Sequence, residues 1–129
     1  MEGFLIDTNI FLEILLGQER KEKCKIYLNQ RLGKIYISDF SLHSIGVILF
    51  KLEKQSKFDL FLDDILPRIE TLGLPLIDYK KVRKISSKYK LDFDDAYQTS
   101  VAESYGLIIT TIDKDFRKIE ADYKVEFIN

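Results

Sequence analysis

The chain has 129 residues, of which 46% are hydrophobic and 32% are charged, and its net charge is −1. This composition is typical of a folded domain and excludes a disordered chain or a basic protein that binds nucleic acid by charge alone. A single cysteine excludes an internal disulfide, and no apolar run approaches the roughly 18 residues that a membrane span requires. We therefore expect one domain over residues 1–129, cytoplasmic and without membrane contact.

The first predicted element is an apolar strand that ends on an acid. Residues 4–9 read FLIDTN, so a short strand buried on both faces leads directly to Asp7. The apolar segment 10–16 follows and stops at Gly17, which predicts a helix. This helix has more apolar surface than one core face requires, which leaves open burial beneath the next helix or an interface with a second copy. The residues concerned are Phe11, Leu12, Leu15 and Leu16.

Helix and strand patterns then alternate along the chain. Residues 18–31 are charged with one apolar face and predict a helix. A short strand is predicted at residues 35–37, and three- and four-residue spacing of apolar residues predicts a helix over 41–54. Residues 57–70 predict a further helix, which Pro67 breaks or ends.

The second half continues the alternation. Leu76 and Ile77 predict a third, very short strand, and residues 79–89 predict a basic helix. A helix that begins near Asp94 ends at Gly106, a strand follows at residues 107–110, and residues 125–128 predict an edge strand. The order predicts an α/β fold of three layers, with a central, mainly parallel sheet of about five short strands flanked by helices.

Aspartates gather at the ends of these predicted elements. Four follow predicted strands and three crowd the start of one helix; they are Asp7, Asp39, Asp78, Asp113, Asp92, Asp94 and Asp95. Taken singly, an aspartate here caps a helix, which is the expected role of Asp39 and Asp78. Because parallel strands all end at one edge, however, these carboxylates share a rim and repel each other unless a cation lies between them.

The chemistry of these groups indicates the kind of cation. Carboxylate oxygens suit Mg²⁺ or Mn²⁺, and the lack of a Cys/His cluster argues against zinc. Such an ion activates water and neutralises phosphate, which points to hydrolysis of a phosphodiester. We expect Asp7, Asp95 and Asp113 to be the metal ligands and catalytic residues. Supporting contacts or helix capping are expected from Thr8, Asn9, Asp94 and Thr111, and Asp115 is expected to complement a helix dipole.

The motifs around these acids resemble those of the PIN domain family, which includes the VapC-type toxin ribonucleases of prokaryotes. FLIDTN resembles the first motif, an apolar strand followed by Asp-Thr-Asn or Asp-Thr-Ser. Residues 94–96, DDA, resemble the central Asp-Ala motif, and residues 109–116, ITTIDKDF, resemble the Thr-x-Asp-x-Asp-Phe motif. The resemblance covers nearly the whole chain. It implies a parallel sheet, Mg²⁺ or Mn²⁺, cleavage of single-stranded RNA, a small antitoxin partner and a homodimer.

One motif departs from the family pattern. The family usually has a glutamate in the helix after the second strand, and here Ser44 occupies that place with His43 beside it. Ser44, His43 or Asp39 is a candidate substitute, although a lone histidine on an otherwise apolar helix, as His43 is here, is more often structural. Because one of four acids is missing, two functions stay open. These are a toxin ribonuclease, and a weak or inactive PIN-like module that binds RNA or a protein.

The basic helix also has two interpretations. Its outward lysines are expected to be a solvated face or a weak contact with the RNA backbone. They are Lys80, Lys81, Lys84 and Lys88. Two other phosphate enzymes fit less well, because a haloacid-dehalogenase phosphatase requires an acid where Asn9 lies, and a response-regulator receiver requires an acid pair before its first helix.

Overall fold

The computed structural model describes residues 2–129 and contains a five-stranded sheet with helices on both faces. The strands are β1 (Phe4–Ile6), β2 (Ile35–Ser38), β3 (Glu70–Leu72), β4 (Ile108–Thr111) and β5 (Val125–Phe127). Their order is β3-β2-β1-β4-β5, and every neighbouring pair is parallel. The predicted α/β fold with a parallel sheet is therefore confirmed, and β1 lies at its centre. A single domain over residues 1–129 stays a prediction.

Within residues 2–129, six α-helices connect the strands. They are α1 (Thr8–Leu15), α2 (Lys21–Asn29), α3 (Asp39–Lys51), α4 (Gln55–Leu60), α5 (Tyr79–Tyr89) and α6 (Phe93–Tyr105). The helix predicted over residues 57–70 is shorter than expected, because α4 passes into a π-helical turn and then a 3₁₀ turn that contains Pro67. The proline has no N–H to continue the helical hydrogen bonds, and the chain leaves this turn for β3.

The sheet separates two apolar cores. Along β1 the side chains alternate, so that Leu5 packs against α5 and α6 while Ile6 packs against α1, α2 and α3. In the latter core Phe11 and Phe61 meet edge to face at 5.4 Å, which ties the π-helical turn to α1. Because both faces are covered, β1 is apolar throughout, and the acid Asp7 follows directly after it.

The third strand lies elsewhere in the chain than predicted. Leu76 and Ile77 belong to a 3₁₀ turn and are each 86% exposed. The strand is formed instead by Glu70–Leu72, which pairs only with β2. An edge strand of this kind needs no continuous apolar run, since one side of it faces solvent. As a consequence Asp78 follows a turn rather than a strand.

The apolar surplus of α1 is buried within the chain itself. Phe11, Leu12 and Leu15 are all buried and Leu16 is partly so, in the core shared with α2 and α3. The interpretation of these residues as an oligomer interface is therefore wrong, and burial beneath the next helix is correct. Among residues 2–129, no helix is both long enough and apolar enough to cross a bilayer.

Candidate metal centre

A cleft of about 270 Å³ opens beside the carboxyl ends of β1 and β4. Six aspartates line it, and they are Asp7, Asp92, Asp94, Asp95, Asp113 and Asp115. Over residues 2–129, no lysine, arginine or histidine contributes to its lining. The cleft thus concentrates negative charge in a chain whose net charge is only −1.

Asp7 is the most enclosed of these acids, with 7% of its surface exposed. It is the N-cap of α1, and its Oδ1 accepts the backbone N–H of Thr8 at 2.9 Å. The same oxygen lies 3.4 Å from Nε2 of Gln98 on α6. Its Oδ2 accepts the hydroxyl of Thr111, at the end of β4, at 2.8 Å. Three donors from three elements therefore hold this carboxylate in one orientation.

Thr111 connects Asp7 to a second acid. Its Oγ1 accepts the backbone N–H of Asp113 at 2.9 Å, so the single hydroxyl proton of Thr111 is directed to Asp7. This fixes the exits of β1 and β4 relative to each other. The supporting role expected of Thr111 is thus matched by direct contacts with both chain segments.

Three carboxylates converge in front of this link. Asp95, Asp113 and Asp115 each offer an oxygen within 4.8 Å of the others. Asp95 lies in the first turn of α6, whose N-cap is Asp92. Asp113 caps the 3₁₀ turn Lys114–Ile119 by accepting the N–H of Asp115 at 2.9 Å, and this turn brings the two acids together.

Asp115 was expected only to complement a helix dipole, whereas the structure places it in the cluster. The signal was the Asp-x-Asp spacing, since an aspartate that bonds the N–H two residues ahead folds the chain back on itself. Asp94 and Asn9 line the cleft from exposed positions, while the hydroxyl of Thr8 turns away to Ser41 at 2.8 Å.

Burial and repulsion between the carboxylates raise the pKa of two of these aspartates. Burial raises the pKa of Asp7, against the three hydrogen bonds that lower it. Burial, the largest cause, and the charges of neighbouring acids together raise the pKa of Asp95 to about 7; these acids are Asp7, Asp113, Asp115 and Asp92. Both carboxylates are therefore destabilised in their charged form, a condition that a bound cation relieves.

The departure at the family glutamate is visible in the structure. Ser44 on α3 lines the cleft, at the side opposite β4. His43 is exposed and lines a separate groove with Phe50 and Phe58. Asp39 lines that second groove too, and its Oδ1 accepts the Tyr97 hydroxyl at 2.7 Å. Of the three substitutes, Ser44 alone lies at the cleft.

Gln98 is a site residue that the sequence patterns did not single out. It is 2% exposed, contacts Asp7 and donates to Ser41 Oγ at 2.7 Å. The available signal was a polar side chain three residues after Asp95 on a helix face that is otherwise apolar.

The lysines of α5 lie away from the cleft. Lys81 is 3.5 Å from Asp78 and 3.9 Å from Glu103, and Lys88 is 3.9 Å from Asp122. Three of them line a different groove beside Tyr89 and Tyr123; they are Lys81, Lys84 and Lys88. These contacts favour a solvated face with surface ion pairs over a positive surface beside the acids.

Comparison with known proteins identifies the class to which this fold and cleft belong. The model of the PIN domain family matches residues 4–122, so the chain belongs to the PIN domain family. Its motifs, its parallel sheet and its acidic cleft are thus those of one family. No curated protein matches the sequence.

Solved structures of toxin–antitoxin proteins share the fold. The DNA-bound VapBC of Salmonella typhimurium superposes with a TM-score of 0.82 at 19% identity, covering 98% of each chain. VapBC2 of Rickettsia felis, bound to a promoter DNA fragment, gives 0.79 at 18% identity and 98% of each chain. VapC20 of Mycobacterium tuberculosis, a toxin that cleaves the Sarcin-Ricin loop, gives 0.78 at 13% identity and covers 94% of this chain and 96% of its own.

Proposed function

We propose that the protein is a metal-dependent endoribonuclease that hydrolyses single-stranded RNA and acts as the toxin of a toxin–antitoxin pair. The observation that carries this proposal is the convergence of Asp95, Asp113 and Asp115 beside Asp7 in one cleft of a PIN fold. Four acids from β1, α6 and the end of β4 have no structural need to share one enclosed space. A common cation explains their arrangement.

The donor set fits Mg²⁺ or Mn²⁺. All the candidate ligands are oxygens, and the three clustered carboxylates lie within 4.8 Å of one another. Opposed ligands about 2.1 Å from a Mg²⁺ ion are about 4.2 Å apart, so small rotations of these side chains suffice. We propose Asp7, Asp95 and Asp113 as ligands, with Asp115 as a further acid and Ser44 as a polar neighbour. When bound, the ion supplies an activated water and positive charge beside the phosphate.

The residues of the chain prepare this site. Thr8 and Thr111 hold Asp7 in place, and the 3₁₀ turn holds Asp113 against Asp115. Without a cation, the acidic lining repels a phosphate group, so RNA enters only after this charge is balanced. The family's RNA chemistry and the cleaving activity stated for VapC20 support RNA as the substrate.

A separate groove suits a small protein partner. It lies between α1, α2 and α4, has a volume of about 320 Å³ and has an apolar floor that includes Leu32, Leu60 and Ile65. Four cations and one acid border this floor, namely Lys21, Lys25, Lys57, Arg68 and Asp64, so its charge is mainly positive. An antitoxin segment that alternates apolar and acidic residues would match both features. We propose this groove as the antitoxin surface; a homodimer stays a prediction that light scattering tests.

A second function is favoured by Ser44. With an uncharged residue in the place of the family glutamate, the protein would bind the ion more weakly and act as an RNA-binding or protein-binding module without turnover. The three clustered carboxylates argue for retained metal binding, which is why we place the nuclease first.

The experiment that tests the proposal is cleavage of a 5′-labelled single-stranded RNA by the purified protein with Mg²⁺, Mn²⁺ or EDTA. We expect metal-dependent cutting that is lost in Asp7→Asn, Asp95→Asn and Asp113→Asn. Asp94→Asn is the matched control, since Asp94 is exposed at the edge of the same cleft and lies outside the cluster. RNA binding without cutting in either metal would support the module instead, and cutting that persists in EDTA would contradict both.

A further inference from the structure

Gln98 is a buried amide at the centre of the molecule. It lies on α6 three residues after Asp95, so both side chains emerge on the same side of the helix. Only 2% of its surface is exposed. Burying an amide is unfavourable unless hydrogen bonds compensate it, and an apolar side chain would carry no such cost. The residue therefore requires an explanation beyond packing.

The two amide protons of Gln98 have defined acceptors. Nε2 donates to Ser41 Oγ at 2.7 Å and lies 3.4 Å from Asp7 Oδ1. Oε1 has no hydrogen-bond partner among residues 2–129. Turning the amide over would set Oε1 against the Asp7 carboxylate, and two acceptors repel each other. The orientation of the amide is thus determined by its donors, and its acceptor is left unpaired.

This orientation controls which oxygen of Asp7 is free. Oδ1 receives the N–H of Thr8 and faces Gln98, so both of its acceptor positions are used. Oδ2 receives the Thr111 hydroxyl and keeps one acceptor position. We infer that Gln98 is a positioning residue, which occupies Oδ1 of Asp7 so that Oδ2 alone is available to a divalent cation. The cation in this inference rests on the proposed function, whereas the orientation of Asp7 does not.

Ser41 anchors the amide from the other side. Its Oγ also accepts the hydroxyl of Thr8 at 2.8 Å, and its backbone N–H is capped by Ser38 Oγ at 3.0 Å. Gln98 therefore connects α3 and α6 to the junction of β1 and α1. A purely structural role would require only the Ser41 bond, and the experiment below therefore measures the orientation of Asp7 as well as stability.

The test compares Gln98→Met with a matched control, Ser100→Ala. Methionine keeps the length of the side chain and removes its donors. Ser100 is a buried residue of the same helix whose hydroxyl bonds only to Ala96 O, at 2.9 Å, so its loss leaves the cleft unchanged. Two quantities are measured on the full chain, namely Mn²⁺ affinity by electron paramagnetic resonance and the χ1 rotamer of Asp7 by scalar couplings in metal-free protein.

We expect one Asp7 rotamer in the wild type and in Ser100→Ala, and a mixture in Gln98→Met. Mn²⁺ affinity should fall about tenfold or more in Gln98→Met, the usual size of an effect on an outer contact of a ligand, and stay unchanged in the control. In an Asp7→Asn background, Gln98→Met should have no additional effect on Mn²⁺ affinity, because the residue acts through Asp7. A structural role would instead lower thermal stability equally in both backgrounds without affecting affinity.

A single Asp7 rotamer in Gln98→Met would overturn the inference, whether or not Mn²⁺ affinity changes. If the wild type binds no Mn²⁺, the proposed function fails, while the rotamer measurement still decides the role of Gln98. Should Gln98→Met not fold, Gln98→Leu takes its place, since it also removes both amide donors with a shorter side chain; an unchanged Asp7 rotamer there would also overturn the inference.

Discussion

The hydroxyl of Thr111 donates a hydrogen bond of 2.8 Å to Oδ2 of Asp7, although the two residues are 104 positions apart in the chain. The same hydroxyl oxygen accepts the backbone N–H of Asp113 at 2.9 Å. One small side chain at the end of β4 therefore aligns an acid that follows β1 with an acid that follows β4. Parallel pairing of these two strands makes the contact possible, because it places their exits side by side.

Thr111→Val tests this alignment. The variant keeps the shape of the side chain but leaves a buried carboxylate oxygen and a backbone N–H without their partner, and we expect a loss of stability of about 1–3 kcal/mol. Mn²⁺ affinity should fall about tenfold, as for other contacts that orient a ligand. Urea unfolding and Mn²⁺ titration measure the two effects.

Thr110→Val is its control, since the Thr110 hydroxyl bonds to Tyr27 at 2.8 Å rather than to an acid of the cleft. This variant should lose stability and keep the affinity of the wild type. Equal affinities in the two variants would contradict the role that we assign to Thr111.

Asp95 should make the metal-free protein less stable as the pH rises. Its pKa is raised from 3.8 to about 7, mainly by burial, so the folded state retains a proton that the unfolded chain has lost within this range. The free energy of unfolding therefore falls between about pH 4 and pH 7 and stays low above that range. Asp95→Asn should stabilise the protein at pH 8 by about 1–2 kcal/mol, a figure reduced for the solvent around this partly exposed group.

Unfolding in urea with EDTA, at pH 5 and pH 8, measures this dependence. Asp95→Asn should stabilise the protein most at pH 8 and less at pH 5, which lies inside the range where the effect develops. The exposed Asp94 is the matched control, and Asp94→Asn should follow the wild type at both values. If the wild type and Asp95→Asn show the same difference between the two pH values, Asp95 is not the group responsible.

Restoring the acid at Ser44 should strengthen metal binding. Ser44 already lines the cleft, so Ser44→Glu adds a carboxylate beside the cluster, and we expect Mn²⁺ affinity to rise about tenfold. His43→Glu places the same charge one residue earlier, in the separate groove with Phe50 and Phe58, and should have no effect. Equal gains in both variants would indicate a general effect of charge, and no gain in Ser44→Glu would show that this position lies too far from the ion.

The turn that precedes α5 should tolerate substitution where its apolar residues are exposed. Leu76→Ser is expected to change stability by less than about 0.5 kcal/mol, because the side chain is almost fully in solvent. Leu74→Ala, two residues earlier at a buried position, should cost about 2–5 kcal/mol. Thermal unfolding of both variants measures the contrast, and a large loss in Leu76→Ser would mean that this residue is covered in solution.

The elements that the sequence predicts best are those whose patterns are internal to one segment. The predicted strand at residues 4–6 and the predicted helix at 79–89 have the bounds that the structure shows, because burial on two faces gives a continuous apolar run and an amphipathic helix gives a periodic spacing. The sequence of β3 shows neither of these patterns. It is an edge strand with the polar residues Glu70 and Thr71. The apolar pair Leu76 and Ile77 suggested a buried strand, although both residues lie in an exposed turn.

The residues of the candidate site also divide into those that a pattern within one segment predicts and those whose position depends on packing between segments. Asp7, Asp95 and Asp113 follow from short motifs and from the rule that parallel strands end together, and all three line the cleft. Asp115 and Gln98 have only weak signals in the sequence, an Asp-x-Asp spacing and a polar residue three positions after Asp95, because their places depend on how a 3₁₀ turn and a helix pack against the sheet. The choice between Ser44 and His43 likewise depended on the rotation of α3, which points one to the cleft and the other to a separate groove.

The parallel pairing of β1 with β4 has a consequence for biosynthesis. While the ribosome is making the chain, β1 can acquire β2 as a neighbour early, but its other side stays open until Ile108 has been added. Asp113 and Asp115 emerge later still, so a nascent polypeptide holds Asp7 and Asp95 without the groups that complete their surroundings. The cleft therefore cannot form until the last strands have been synthesised, and a chain that stops before residue 108 lacks it.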